Sequence, residues 1–355
     1  MAIDFSALVE RANAALEAPE QHSIIGARDG QSPRFDVYHA PFSVCSHKVR
    51  AVLVEKQIPF TSHDIRMNLV AHDAPCPDNY KPGYVRLRLQ AAAGGALVHG
   101  FTGQSSVASE GLDPCVVPTL ADREKEQVVV DSAKICTYLD QETDGTPLIP
   151  ADLADAIAAQ IALIDEAPHV GILYGASPSG DQRPERVAAG LSGVHDRKIK
   201  HLQALIAAHS DAPDLIAAYT AKIAKEKSAK SFIQEADTMV DAHARMKDHV
   251  IALDNQLKTH DGPWAMGEAY TMADIMWSVS LFRLKWIGLG RLWEDGDSAP
   301  RVNAYTARAF SRPAFQKSVI NWPKSTPPSK HIEDTAPYAQ ALHETWRAIA
   351  ARKAS

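Results

Sequence analysis

The segment that most constrains the fold is residues 35–65, where the hydrophobic period changes twice. Phe35-Asp36-Val37-Tyr38-His39 alternates with the period of two expected of a strand, a loop through Pro41 and Ser43 follows, and Val49 to Lys56 takes up the helical period. Ile58-Pro59-Phe60 opens a second strand to about Ile65. A strand, helix, strand unit of this length predicts parallel pairing through a right-handed crossover.

The loop of that unit carries the chemistry. Ser43-Val44-Cys45-Ser46-His47-Lys48-Val49-Arg50 puts Cys45 at or beside a helix N-terminus, where unpaired backbone N–H groups and the positive dipole end favour an anion. A cysteine so placed is expected to have a lowered pKa, and its thiolate is a nucleophile. On spacing alone an equally good reading has Ser43 or Ser46 closing the helix while Cys45 fills a small apolar gap.

Composition narrows the classes. A chain of 355 residues with 45% apolar content is long enough for two domains with real cores. The net charge is −6 and basic residues are interspersed with acidic ones, so a nucleic-acid partner is not expected. Residues 1–20 carry Asp4, Glu10, Glu17 and Glu20 without an apolar core, unlike a secretory signal. The most hydrophobic run, Ile275 to Ile287, is broken by Arg283 and Lys285 and is too short to span a bilayer. The expectation is a soluble, cytoplasmic protein with no membrane partner. Cys45, Cys76, Cys115 and Cys136 form no Cys-x-x-Cys pair, which argues for reduced thiols. No His-Glu-x-x-His motif or Cys/His cluster with metal spacing occurs, so no metal is expected.

Along the chain, residues 1–32 read as a helical N-terminal extension with Phe5, Leu8, Val9 and Ala12 on one face. Residues 33–146 form the α/β domain, interrupted by an insertion at 72–113 rich in Gly, Pro, Ser and Ala. It reads as irregular, and a long structureless loop in a compact domain is usually functional or mobile. Val116-Val117-Pro118-Thr119-Leu120 and Val128-Val129-Val130 flank a turn and read as a hairpin. Pro118 cannot donate to a ladder, so either an edge strand starts there or the Val117-Pro118 bond is cis. Asp131-Ser132 follow at a helix start, where simple capping also accounts for them.

Beyond a linker at Pro147 to Asp152, apolar positions recur at helical spacing, and residues 153–330 are expected to be all-helical. Thr271-Met272-Ala273-Asp274 is a capping box ahead of a buried helix. Residues 331–355 read as a last helix or tail, set off by Pro323, Pro327 and Pro328.

This succession of strand, Ser-x-Cys loop, helix, strand, Val-Pro-Thr-Leu hairpin, Asp-Ser helix start and helical domain with a Thr-x-x-Asp box resembles the glutathione S-transferase superfamily over residues 34–322. The resemblance implies an N-terminal α/β thioredoxin-like domain and an all-α C-terminal domain. The Ser43 to Arg50 loop is similar to that of the zeta class, the maleylacetoacetate isomerases, and of the tetrachlorohydroquinone reductive dehalogenases. Tyr84-Val85-Arg86-Leu87-Arg88-Leu89, the insertion with Phe101-Thr102-Gly103-Gln104-Ser105-Ser106-Val107, and Ser109-Glu110-Gly111 look like the reductive dechlorinases of 2,5-dichlorohydroquinone type.

The resemblance implies a glutathione cosubstrate bound by the backbone of Val117 beside a cis Pro118, with Asp131 and Ser132 at its γ-glutamyl end. Gln104 or Ser105 is a further contact from the insertion. Ser43 would assist the glutathione thiol, and Cys45 would act next, taking glutathione from an aryl conjugate as a mixed disulfide that a second glutathione resolves. Tyr174, Trp277 and Trp286 are available aromatic surfaces for the substrate, although their helical spacing also suits core positions. A homodimer is implied. The alternatives are a maleylacetoacetate-type isomerase, a transferase or β-etherase acting on an aromatic compound, and a glutathione-binding module without catalysis.

Overall fold

The computed structural model describes residues 4–28, 30–67, 75–92, 95–104, 106–178, 180–295, 298–322 and 329–332. Apart from residues 331 and 332, the expected C-terminal segment lies outside these, as do Ser105, Pro323, Pro327 and Pro328.

The chain begins with α1 (Phe5–Ala14), β1 (His22–Ile25), β2 (Phe35–His39), α2 (Val44–Glu55) and β3 (Phe60–Asp64). The insertion contributes α3 (Pro82–Leu89) and α4 (Val107–Glu110), and β4 (Thr119–Asp122), β5 (Gln127–Val130) and α5 (Ser132–Glu142) complete the domain. The five strands form one sheet in the order β1-β3-β2-β4-β5. β2 and β3 run parallel with Phe35 opposite Phe60, and the other neighbours are antiparallel. All five β2 residues are buried because helices cover both faces of the sheet. The strand period sorts them: Phe35 and Val37 join Leu120 in the core beneath α2 and α5, and Tyr38 joins Ala121, Val128 and Val130 beneath α1 and α3.

Two expectations need correction. The extension is not only helical, since His22–Ile25 adds an antiparallel edge strand to β3. The insertion is not structureless either. Pro82 starts α3 at a first-turn position, where its missing N–H removes nothing. Tyr84, Val85, Leu87 and Arg88 form its buried side, and the arginine among them interrupts the apolar stripe that would reveal α3. Gly83 lets α3 approach α1 closely, for a Cβ there would collide with the backbone of Arg11.

The helical domain comprises α6 (Ala154–Asp165), α7 (His169–Tyr174), α8 (Glu185–Leu191), α9 (Val194–Ala208), α10 (Pro213–Gln234), α11 (Ala236–Leu257), α12 (Met272–Trp286), α13 (Arg291–Glu294) and α14 (Pro300–Ser311). By length and composition alone, Ala151–Tyr174 would also pass for a membrane-crossing helix. Here it is divided between α6 and α7, and α6 packs on α12.

Every residue of α12 except Lys285 is buried. Its N-terminus carries the expected box: Asp274 accepts the Thr271 N–H at 2.8 Å. The same carboxylate accepts the Ala265 N–H at 2.7 Å and the Tyr305 hydroxyl at 2.9 Å. Asp274→Ala therefore removes a cap and leaves buried donors unpaired. It is expected to destabilise the protein by about 3 kcal/mol or more in urea unfolding, whereas an exposed cap residue such as Asp4 should cost about 1 kcal/mol at most.

Candidate active site

The active-site loop is held by the helix it precedes. Ser43 is the N-cap of α2, its Oγ accepting the Ser46 N–H at 3.4 Å, so the Ser43 hydroxyl proton stays available for another acceptor. Ser46 Oγ accepts the Ala40 N–H at 3.2 Å, His47 Nε2 donates to the Pro41 carbonyl at 2.9 Å, and Arg50 Nη2 donates to the same carbonyl at 2.8 Å. Arg50 also donates to the Ser318 carbonyl at 2.9 Å, tying the loop to the C-terminal helices. Cys45, in the first turn of α2, is left facing a cavity of about 380 Å³ between the two domains.

The sulfur does not have the lowered pKa expected at a helix N-terminus. Burial pushes the Cys45 thiol up, and the nearby Lys48 ammonium and the Ser132 hydroxyl only partly offset this. Lys48 is itself held at 2.9 Å by Asp165 on α6, which spends part of its field. All four cysteines are free.

Cys45 also borders a smaller pocket shared with Val117, Pro118, Asp131, Ser132 and Val107. The Val117–Pro118 bond is cis, and Pro118 sits just before β4, an interior strand of the sheet. Thus the strand is not at an edge; the proline escapes conflict by lying outside the ladder. The insertion fixes this segment from behind: Arg88 donates to the Pro118 carbonyl at 2.6 Å and to Thr119 Oγ1 at 2.7 Å, and Tyr84 donates to the Val116 carbonyl at 2.6 Å. Among the described residues no hydrogen bond engages the backbone N–H or carbonyl of Val117, so both can pair with an extended ligand.

Asp131 is the N-cap of α5 with φ of 78°, a strained value for a non-glycine residue. Its carboxylate accepts the N–H groups of Ala133 at 3.0 Å, Lys134 at 3.4 Å and, from the insertion, Val107 at 3.1 Å. Ser132 then opens α5 where helix-terminal N–H groups favour a carboxylate.

The structure thus brings the expected residues to one place. Ser43, Cys45, Gln104, Val117 and Ser132 line the larger cavity, and Cys45, Val117, Pro118, Asp131 and Ser132 line the smaller. Of the three aromatics, Tyr174 lines the cavity, whereas Trp277 and Trp286 are buried core.

Sequence reasoning missed the charged wall opposite Cys45. On α10, Lys222 pairs with Asp113 at 2.7 Å and Glu226 at 2.9 Å, and Lys225 pairs with Glu110 at 2.8 Å. Glu226 also holds His195 at 2.6 Å and Lys198 at 3.2 Å, and Lys198 donates to the Tyr174 hydroxyl at 3.3 Å. The adjacent cations hold the Glu226 and Asp113 carboxyls below the usual range despite their burial. The available signal was the i, i+3, i+4 placement of Lys222, Lys225 and Glu226, which reads equally well as a solvated face.

A thioredoxin-like sheet with a cis Val-Pro before its third core strand, an N-capped cysteine beside it and a helical domain closing the cavity defines a glutathione S-transferase fold, and the chain belongs to that family. Residues 42–142 match the glutathione S-transferase N-terminal domain. The chain is 42% identical over 346 residues to a 2,5-dichlorohydroquinone reductive dechlorinase of Sphingobium indicum, covering 94% of this chain and 98% of that one. It is 25% identical to a tetrachloro-p-hydroquinone reductive dehalogenase of Sphingobium chlorophenolicum, over 82% of this chain and 98% of the other. Among solved structures, the β-etherase LigF from Sphingobium sp. strain SYK-6 matches with a TM-score of 0.54 at 16% identity, covering 80% of this chain and 98% of that one, a likeness of fold alone.

In the ligand-free protein, iodoacetamide labelling of Cys45, followed site by site by mass spectrometry, is expected to rise only above the ordinary cysteine range. Lys48→Met and Ser132→Ala should each move the midpoint further up. A wild-type midpoint below that range, or one that neither variant moves, contradicts this balance.

Proposed function

We propose that this protein is a glutathione-dependent reductive dechlorinase of chlorinated hydroquinones of the 2,5-dichlorohydroquinone type. The observation that carries the reading is the position of Cys45, whose sulfur borders both the Val117–Ser132 pocket and the larger cavity. A thiol there reaches the sulfur of a tripeptide bound in one pocket and a ring bound in the other. The 42% identity to a named dechlorinase along nearly its whole length supports the substrate class.

In this reading glutathione lies with its γ-glutamyl carboxylate at the Ser132 end of α5, its ammonium toward Asp131 and its cysteinyl backbone against Val117. The Ser43 hydroxyl donates to the glutathione thiolate, which displaces chloride from the keto tautomer of the ring and leaves an aryl thioether. Cys45 thiolate then attacks the glutathione sulfur. The carbon–sulfur electron pair goes to the ring, which takes a proton at carbon, and Cys45 is left as a mixed disulfide. A second glutathione displaces Cys45 and departs as oxidised glutathione. Overall one carbon–chlorine bond becomes carbon–hydrogen and two thiols become one disulfide.

The raised Cys45 pKa fits this order. A thiol that stays protonated in the free protein resists premature oxidation, and it ionises beside Lys48 and Ser132 once the conjugate is seated.

With 2,5-dichlorohydroquinone and glutathione, chloride and oxidised glutathione are expected in equal amounts; maleylacetoacetate isomerisation without chloride release would overturn the assignment. Cys45→Ser should stop at the glutathionyl-hydroquinone, seen by mass spectrometry, with no dechlorinated product. Ser43→Ala should slow the first displacement by about 100-fold, the scale for losing a donor to a reacting anion.

A further inference from the structure

We propose that Arg283 is the site's anion receptor, holding the ionised ring oxygen of the aromatic substrate. The inference rests on the dechlorinase reading for its place in the reaction, but its geometry stands independently of that reading.

Arg283 lies in the last turn of α12, is 2% exposed and lines the larger cavity with Cys45 and Tyr174. Among the described residues no carboxylate lies within ion-pairing distance of it. Its guanidinium sits 4.1 Å over the Phe42 ring and 5.5 Å from that of Trp286, and one Nη donates to the Phe42 carbonyl. A guanidinium offers five N–H donors, so most of its capacity is unspent.

A buried cation without a counter-ion is costly, and a chain needing only an apolar wall there would be better served by leucine or methionine. The other buried cations around this cavity are neutralised: Lys48 by Asp165, Lys198 and Lys222 by Glu226, and Lys225 by Glu110. Arg283 is the exception, and burial without a counter-ion pulls its pKa down. The titratable groups around it are Cys45, Tyr174, His47 and His169, and burial keeps both histidines neutral near pH 7. The Cys45 thiol, pushed up by burial, and the two neutral histidines bring no standing negative charge at neutral pH. The last-turn carbonyls of α12 and the Phe42 carbonyl answer Arg283 with partial charges only, and a full negative charge must come with the ligand.

The reaction supplies one. When Cys45 takes the glutathione sulfur, the released electron pair passes into the ring and rests on oxygen as an enolate until carbon is protonated. A planar guanidinium beside Cys45 stabilises that oxyanion, and it favours the phenolate form of the incoming hydroquinone.

The test uses 4-nitrophenol, which cannot be dechlorinated and whose ionised form absorbs visible light, with nitrobenzene as a neutral control. Wild type is expected to bind the phenolate at least tenfold more tightly than the phenol, lowering the apparent pKa of the bound probe by one unit or more. Arg283→Met should lose that preference, keep its nitrobenzene affinity, and melt at the wild-type temperature or above, because an uncompensated charge has gone. Arg283→Lys should retain part of the preference. Unaltered phenolate preference in Arg283→Met overturns the proposal. So does a variant whose only change is a higher Cys45 alkylation midpoint, which would make the thiolate the partner of Arg283. If Arg283→Met loses nitrobenzene as well, Arg283→Lys decides, and absence of any phenolate preference there overturns the proposal. Failure of 2,5-dichlorohydroquinone to turn over while the nitrophenolate preference persists would remove the dechlorinase reading and leave the anion receptor standing.

Discussion

The site depends on how the loop at Ala40–Ser43 is held. It leaves β2 without a ladder partner, so its backbone groups must be satisfied from elsewhere. Most are satisfied by α2 itself: Ser46 takes the Ala40 N–H, and His47 and Arg50 converge on the Pro41 carbonyl, while Arg283 of α12 donates to the Phe42 carbonyl. The three residues recur at helical spacing on one face, which leaves Cys45 to face the cavity. The motif around the cysteine is therefore mostly structural, and one of its members is left facing the cavity.

Around that sulfur, desolvation and electrostatics compete. The helix start, Lys48 and Ser132 all favour the anion, but enclosure between two domains outweighs them in the free protein. The same enclosure makes each remaining charge matter. Glu226 and Asp113 neutralise the lysines of α10, and the insertion supplies Glu110 and Asp113 to that network, so it joins the sheet domain to the helical one rather than hanging outside.

Much of the site was legible because its signals are local. A serine two residues before a cysteine at a period change marks an N-cap, and Val-Pro before a hairpin marks a backbone that cannot enter a ladder. Asp-Ser marks a capped helix start, and here it lines the smaller pocket. The helix α3 was not legible, because it is short, opens on Pro-Gly and carries a charged residue, Arg88, on its buried side. The strand β1 was missed because four residues, half exposed, owe their conformation to pairing with β3.

The sequence by itself determined the parallel strand pair, the capped cysteine, the capping box of α12 and the helical second half, since each follows from periodicity and capping within a few residues. Only the tertiary structure decided the direction of the Cys45 pKa shift and the isolation of Arg283. In the sequence Arg283 is merely a break in an apolar run. Whether a charge is solvated, neutralised or left without a partner depends on what other segments bring near it, and sequence spacing holds no information about that.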